Sequence, residues 1–181
     1  IDYVKENNNF GIEIVFSDER QMLLETGGAI KHAVDLLGDE PFLIHNVDIL
    51  SNVDLEALIN AHTESNSAAT LLVSKRNSTR ALLFSSDGNL TAWTNKTTGE
   101  VKSPYSDIDI SNLNEFAFSG IHIFSPRLFK YFGAYPEKFS IIDFYLNTCK
   151  EEKIKAYTQE GLQLLDVGKL DSIEKAEGFV K

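Results

Sequence analysis

Two aspartates have the placement that metal chemistry needs. Asp48 lies two residues beyond Pro41-Phe42-Leu43-Ile44-His45-Asn46, a short apolar run with the character of a buried parallel strand. Asp166 stands in the same relation to the stretch from Leu162 to Leu165, and Gly168 follows where a helix is expected to begin. Ligands of an open α/β sheet bind beyond the carboxyl ends of its strands. Two carboxylates there, sharing a cation with substrate phosphates, are a common way for a protein to hold Mg²⁺. The same spacing also suits an aspartate that only caps the next turn or helix, and spacing alone weighs the two readings equally. Glu25-Thr26-Gly27-Gly28-Ala29 is the next candidate. Paired glycines opening a helix let backbone N–H groups approach a flat or anionic ligand closely. A tight turn into a helix would use them equally well.

The histidines offer less. His45 falls inside the apolar run and is expected to be a hydrogen-bonded core residue; His122 falls in a strand pattern, and His32 and His62 in helical ones. No His/Cys set has metal-ligand spacing. Asp143 follows Ser140 at capping-box spacing, which accounts for it without a ligand.

The chain that must position these groups has 181 residues, 43% hydrophobic and 24% charged, an ordinary globular composition. Its 27 acidic and 17 basic residues give a formal net charge of −10. That field disfavours nucleic acid and anionic membrane surfaces as partners. Cys149 is the only cysteine, which excludes an intrachain disulfide. No apolar run approaches the length of a membrane span, so a cytoplasmic protein is expected. The opening residues have helical character, with Ile1 and Val4 on one face and no cap before them, and the run stops at Asn7-Asn8-Asn9. This start predicts a longer polypeptide.

Strand and helix signals alternate through the first half. Gly11 to Phe16 is β-rich, and Thr26 to Leu37 has helical spacing ending at Gly38. Asp54 caps a helix carrying Leu55, Leu58, Ile59 and His62, and Ala69 to Ser74 is a further strand. Strands separated by such helices predict βαβ crossovers and a doubly wound, mostly parallel α/β sheet covered on both faces. Ala81 to Phe84 and Leu90 to Trp93 flank an Asp87-Gly88 turn, a hairpin inserted into that sheet, and Thr98-Gly99 marks a second turn. Strands are expected again at Phe116 to Phe124, Ile154 to Tyr157 and Leu162 to Leu165, and helices at Ser140 to Cys149 and from about Lys169 to Glu177. One domain spanning 1–181 is expected.

The ordered set Leu24-Glu25-Thr26-Gly27-Gly28-Ala29-Ile30, Leu37-Gly38-Asp39-Glu40-Pro41-Phe42-Leu43, Asn46-Val47-Asp48, Phe118-Ser119-Gly120-Ile121-His122-Ile123-Phe124 and Leu165-Asp166-Val167-Gly168 resembles the sugar-1-phosphate nucleotidyltransferases. The likeness is closest to the branch of N-acetylmuramate-1-phosphate uridylyltransferases and mannose-1-phosphate guanylyltransferase-like proteins, and it spans essentially the whole chain. It implies a Rossmann-like nucleotidyltransferase fold, with Mg²⁺ held by Asp48 and Asp166. It also implies a nucleobase against Gly27 and Gly28 with Glu25 nearby, and a sugar at the Ser119-Gly120 pair. Lys96 resembles the family lysine that contacts the sugar phosphate, although the family's Glu-Lys-Pro context is absent; Phe118 stands where many relatives have Asn. The implied reaction joins an NTP, UTP before GTP, to a sugar-1-phosphate, giving an NDP-sugar and pyrophosphate. The alternative is a non-catalytic sugar-nucleotide-binding or regulatory subunit. The family's glycine-rich phosphate loop would precede Ile1, so these residues alone are expected to be inactive or nearly so, with an exposed groove that favours homo-oligomers.

Overall fold

The computed structural model describes residues 1–168 and 173–179. They divide into two compact units. One comprises Ile1–Asp39 and Phe129–Phe144, the other Glu40–Leu128 and the described part of Tyr145–Lys181.

In the first unit, helix α1 (Asp2–Glu6) is present as expected and stops where Asn7 Nδ2 donates to the Tyr3 carbonyl at 2.8 Å. The strand expected from Gly11 to Phe16 does not form. Residues 13–19 carry no regular element, and Ile12 and Val15 are 66% and 59% exposed. β-rich composition needs a neighbouring strand to pair with, and no described strand pairs with this segment. Helix α2 (Glu25–His32) ends sooner than its pattern predicts. Ala33 leaves α geometry, a 3₁₀ turn follows over Val34–Leu36, and Leu37 is already extended, so Gly38 is not the helix cap. Val34 and Asp35 are weak helix formers, which favours the break. The unit's core is aromatic: Tyr135 and Phe139 have ring centroids 4.7 Å apart, and Phe132 and Phe144 5.0 Å.

The second unit is organised by one long strand. Its strands are β1 (Phe42–His45), β2 (Ile49–Ser51), β3 (Ala69–Ser74), β4 (Arg80–Phe84), β5 (Leu90–Asn95), β6 (Glu100–Lys102), β7 (Asn114–Phe124), β8 (Ile154–Tyr157) and β9 (Leu164–Asp166). They form a seven-stranded sheet of order β6-β5-β4-β7-β3-β8 with β1 also on β7, and a separate β2-β9 pair. The α/β class stands, but among the described residues only β3 and β8 pair in parallel; every other strand pair there is antiparallel. β1 and β3 do run the same way, joined by helix α3 (Leu55–Ser65), as a βαβ reading predicts. β7 inserts between them and takes the hydrogen bonds of both, which converts an expected parallel neighbourhood into two antiparallel ones. β1 alternates between half-buried and exposed residues because successive side chains point to opposite faces of the sheet. His45 lies on the exposed side, its Nδ1 2.8 Å from the Asn46 carbonyl, rather than in the core.

Local chemistry explains the remaining elements. The Asp54 carboxylate accepts from Ala57 N at 3.0 Å and starts α3, which ends at Asn66 in left-handed geometry. Leu58 on α3 is fully buried against Leu72, Ile121 and Ile123, each such side chain contributing about 1.5–3 kcal/mol. His62 packs inward too, bridging the Thr70 and Ser125 hydroxyls at 2.9 Å each, which makes it a satisfied core residue. The β4-β5 hairpin turns at Gly88 (φ 78°) and the β5-β6 turn at Gly99 (φ 73°), both in the left-handed region that glycine permits. Helix α4 (Ile141–Thr148) is preceded by Ser140, whose Oγ accepts from Ile142 N. Helix α5 spans Ile173–Phe179; the expected helix positions from Lys169 to Ser172 lie outside the described residues. Among the described residues, no helix is long and apolar enough to cross a membrane.

His122 is the least comfortable core residue. It is fully buried on β7, its ring nitrogens have no hydrogen-bond partner among the described residues, and its ring meets the Tyr145 ring edge-on at 5.7 Å. Burial depresses its pKa from 6.5 to about 3, so the folded protein holds it neutral. The unfolded chain takes up a proton near pH 6.5 and the folded one does not. Its contribution is therefore intact above about pH 7 and falls by up to about 1.4 kcal/mol per pH unit between 6.5 and 3. Denaturant unfolding at pH 7.5 and 5 should show this loss, and His122→Phe should reduce it. A loss unchanged in the variant would assign the pH dependence to other groups.

Candidate functional site

The two aspartates singled out from the sequence meet. β2 and β9 pair with Ile49 opposite Asp166, and Val167 N donates to the Asp48 carbonyl at 2.8 Å, which sets the 48 and 166 backbones side by side. Gly168 N donates to Asp166 Oδ1 at 3.0 Å. A Cβ built on Gly168 would lie 2.9 Å from Asp48 Oδ2 and 3.2 Å from Asp166 Oδ1. The two carboxylates thus both approach the open side of Gly168. Among the described residues no group of three His, Cys, Asp or Glu side chains gathers to hold an ion. Two hard carboxylate oxygens are the donor type that suits Mg²⁺, which keeps several waters and rarely takes an all-protein cage.

β7 supplies the neighbouring surface. Leu71 opposes His122 but Val73 opposes Phe118, so β7 carries extra residues between these pairs and bulges around Gly120. Gly120 adopts φ 78° in that bulge, and a Cβ there would stand 2.7 Å from Asn46 Nδ2. Asn46 N donates to the Gly120 carbonyl at 3.0 Å. The bulge therefore pins the Asn46-Val47-Asp48 turn, placing Gly120 and Asp48 in one locality. Ser119 faces away: it is buried, and its hydroxyl donates to the Leu72 carbonyl at 2.6 Å, leaving only its backbone for a ligand. Lys96 follows β5, its N donating to the Thr79 carbonyl at 2.8 Å and its Nζ paired with Glu115. It lines a pocket of about 530 Å³ together with Lys75 and Arg76.

Glu25, Gly27 and Gly28 belong to the first unit, where packing by the chain itself uses the space the glycines leave. A Cβ on Gly27 would meet the Phe139 ring at 2.5 Å, and one on Gly28 would overlap the Glu137 carbonyl. Gly28 N donates to the Phe139 carbonyl at 3.3 Å, and Phe139 N to the Leu24 carbonyl at 3.2 Å. Glu25 sits at φ 61° and faces Lys138 at 3.9 Å. Sequence reasoning did not assign roles to Asn46 as a brace or to Gly168 as clearance. The Asp-x-Gly spacing and an Asn ending a strand were the signals available.

Gly168→Ala should push the two carboxylates apart. Because side-chain oxygens can yield, the expected cost falls on metal affinity, about tenfold, rather than on stability. Titrating Mg²⁺ dependence in the variant checks this, and an unchanged midpoint would show that the two carboxylates do not share an ion.

The strands thus form a mixed sheet with acidic residues at strand ends and a glycine bulge beside them. The model of the nucleotidyl transferase family matches residues 2–181, and the chain belongs to that family. N-acetylmuramate alpha-1-phosphate uridylyltransferase of Neisseria meningitidis serogroup B is 39% identical over 56 residues, 31% of this chain and 24% of that protein. The protein of the same description from Caulobacter vibrioides is 50% identical over 44 residues, 24% of this chain and 18% of that one. The chain thus matches about a quarter or less of the length of these curated relatives. Among solved structures, HddC from Yersinia pseudotuberculosis complexed with GMP-PN superposes with a TM-score of 0.67 at 21% identity, covering 99% of this chain and 72% of that one. A putative glucose-1-phosphate thymidylyltransferase from Bacillus anthracis gives a TM-score of 0.71 at 16% identity, covering 98% and 70%. At such identities the structural likeness is one of fold.

Proposed function

We propose that this chain is part of a sugar-1-phosphate nucleotidyltransferase, transferring a nucleotidyl group from an NTP to a sugar-1-phosphate with release of pyrophosphate. The convergence of Asp48 Oδ2 and Asp166 Oδ1 over Gly168 carries this reading. The family membership supports it, and the two uridylyltransferase relatives favour UTP, with GTP next. Asp48 and Asp166 would hold Mg²⁺, which when bound supplies charge stabilisation to the transferring phosphoryl group. The chain's own part is positional. Asn46 and the Gly120 bulge fix the turn that presents Asp48, and the β2-β9 pairing fixes Asp166 opposite it. Lys96 brings a cation toward the sugar phosphate. Direct in-line attack by the sugar-phosphate oxygen on the α-phosphorus needs no protein nucleophile.

The test is pyrophosphate release by the full-length protein with each NTP and a panel of sugar-1-phosphates. Release that requires Mg²⁺ and stops with a chelator is expected, fastest with UTP. Tight binding of an NDP-sugar with no pyrophosphate release from any pair would instead make this a sugar-nucleotide-binding subunit.

A further inference from the structure

The two strands that bring Asp48 and Asp166 together have little of their own to fix how they pair. β2 and β9 form a two-stranded ladder of three residue pairs, and none of their residues is buried. Strand pairs of this size are marginal in water, and register is weakly specified where no buried face enforces it. A slip by two residues would keep every side chain on its face yet carry Asp166 about 7 Å along β2.

Asn52, the residue after β2, supplies what the ladder lacks. Its four polar groups all engage the segment 159–163. Asn52 N donates to the Gln163 carbonyl at 3.4 Å, Asn52 Oδ1 accepts from Gln163 N at 2.7 Å, and Asn52 Nδ2 donates to the Gly161 carbonyl at 3.1 Å. The Asn52 carbonyl accepts from Gln159 Nε2 at 3.1 Å, and Gln159 Oε1 in turn accepts from Asp54 N at 2.7 Å. The Asn52 side chain thus takes the Gln163 N–H that a continued ladder would give to the Asn52 carbonyl, which frees that carbonyl for Gln159. Asn52–Gln163 lies just beyond one end of the ladder. Just beyond the other lies Asp48–Val167, where Val167 N donates to the Asp48 carbonyl at 2.8 Å. A slip breaks the Asn52 contacts together, so the amides at one end set the carboxylates at the other. Asn52 and Gln163 are exposed, and hydrogen bonds exchanged against water add only modestly to stability. Their main effect is on register.

We infer that Asn52, with Gln159 behind it, is a positioning residue that sets the β2–β9 register and through it the spacing of Asp48 and Asp166. This rests on the metal-site reading of those aspartates. Asn52 lies at the far end of the ladder from the carboxylates and acts through the two strands.

Calorimetric titration of the full-length protein with Mn²⁺ tests this in Asn52→Ala and Gln159→Leu. Each should weaken Mn²⁺ binding about tenfold, the size of effect typical of residues that orient metal ligands, with the metal-free thermal midpoint changed little. Ser51→Cys/Leu164→Cys supplies the rescue. Ser51 and Leu164 sit one pair in from the bonded Asn52–Gln163 pair, so they form a non-hydrogen-bonded pair, where side chains stand closer and a disulfide fits. The oxidised cross-link should restore Mn²⁺ affinity to Asn52→Ala, and its reduction should remove it again. The Hα–Hα nuclear Overhauser cross-peak between Ser51 and Leu164 reads the register in metal-free protein, and it should fade in Asn52→Ala. Unchanged Mn²⁺ affinity in both variants, a persistent cross-peak, or a loss of affinity that the cross-link does not repair would overturn the inference. Wild-type protein that binds no Mn²⁺ would remove the metal reading instead, and the cross-peak alone would then decide whether Asn52 sets the register.

Discussion

Asp48→Asn in the full-length protein is expected to slow pyrophosphate release on the order of 10³-fold while leaving the thermal midpoint unchanged or higher. On the proposed reading, the activity loss follows from removing one of two protein ligands of an ion that would contribute several kcal/mol to the transition state. The stability result follows from geometry. Asp48 Oδ2 and Asp166 Oδ1 both crowd the open side of Gly168, and two like charges so placed repel unless a cation lies between them. Replacing one carboxylate with an amide relieves that repulsion and keeps the shape. A purely structural Asp48 would behave in the opposite way, losing stability while its effect on turnover tracked unfolding. Paired measurement of kcat and thermal midpoint distinguishes the two, and an active, destabilised variant would remove Asp48 from the site.

Gly28→Ala should be the most damaging single methyl addition in the first unit. Its Cβ would overlap the Glu137 carbonyl, which is backbone and cannot swing aside as a flexible side chain can. Helix α2 and the segment from Glu137 to Phe139 must then separate, straining the Gly28–Phe139 hydrogen bond. A cost of about 2–3 kcal/mol is expected from overpacking. In a protein of this size that corresponds to a midpoint lower by roughly 4–12 °C. Gly38→Ala is the control, because a Cβ there meets nothing within 4 Å. It should be neutral or slightly stabilising through the unfolded state. Equal midpoints for the two variants in a thermal melt followed by circular dichroism would show that the Gly28 contact is not maintained in solution.

The elements that the sequence reveals are those whose signals are local. Asp54 announces α3 because a cap acts within three residues, and the Asp87-Gly88 turn announces its hairpin because the turn itself demands left-handed geometry. Asp48 and Asp166 were legible for a related reason: each stands at the end of a short apolar strand. Their meeting was not, since it depends on β2 pairing with β9 across more than a hundred residues. Strand direction was lost in the same way. The pattern of Phe116 to Phe124 shows a buried strand but not that it lies between β1 and β3, and that one insertion turns the sheet mostly antiparallel. The Gly11 to Phe16 stretch shows the converse failure, where strand composition is present and no pairing partner lies among the described residues. Gly27 and Gly28 were read either as a close backbone approach to a ligand or as a tight turn into a helix, and a Cβ on them would meet Phe139 and Glu137. A glycine pair marks close approach without saying what approaches. Ser119 was assigned to the sugar together with Gly120, and its hydroxyl turns inward to the Leu72 carbonyl.

The central claim is that Asp48 and Asp166 together hold a divalent ion, and paramagnetic broadening by Mn²⁺ tests it most directly. In ¹⁵N-labelled protein, substoichiometric Mn²⁺ should selectively broaden the amide resonances of Ile49, Val167 and Gly168. The effect should vanish in both Asp48→Asn and Asp166→Asn. Broadening centred elsewhere, or broadening at these three amides that survives both substitutions, would contradict the account.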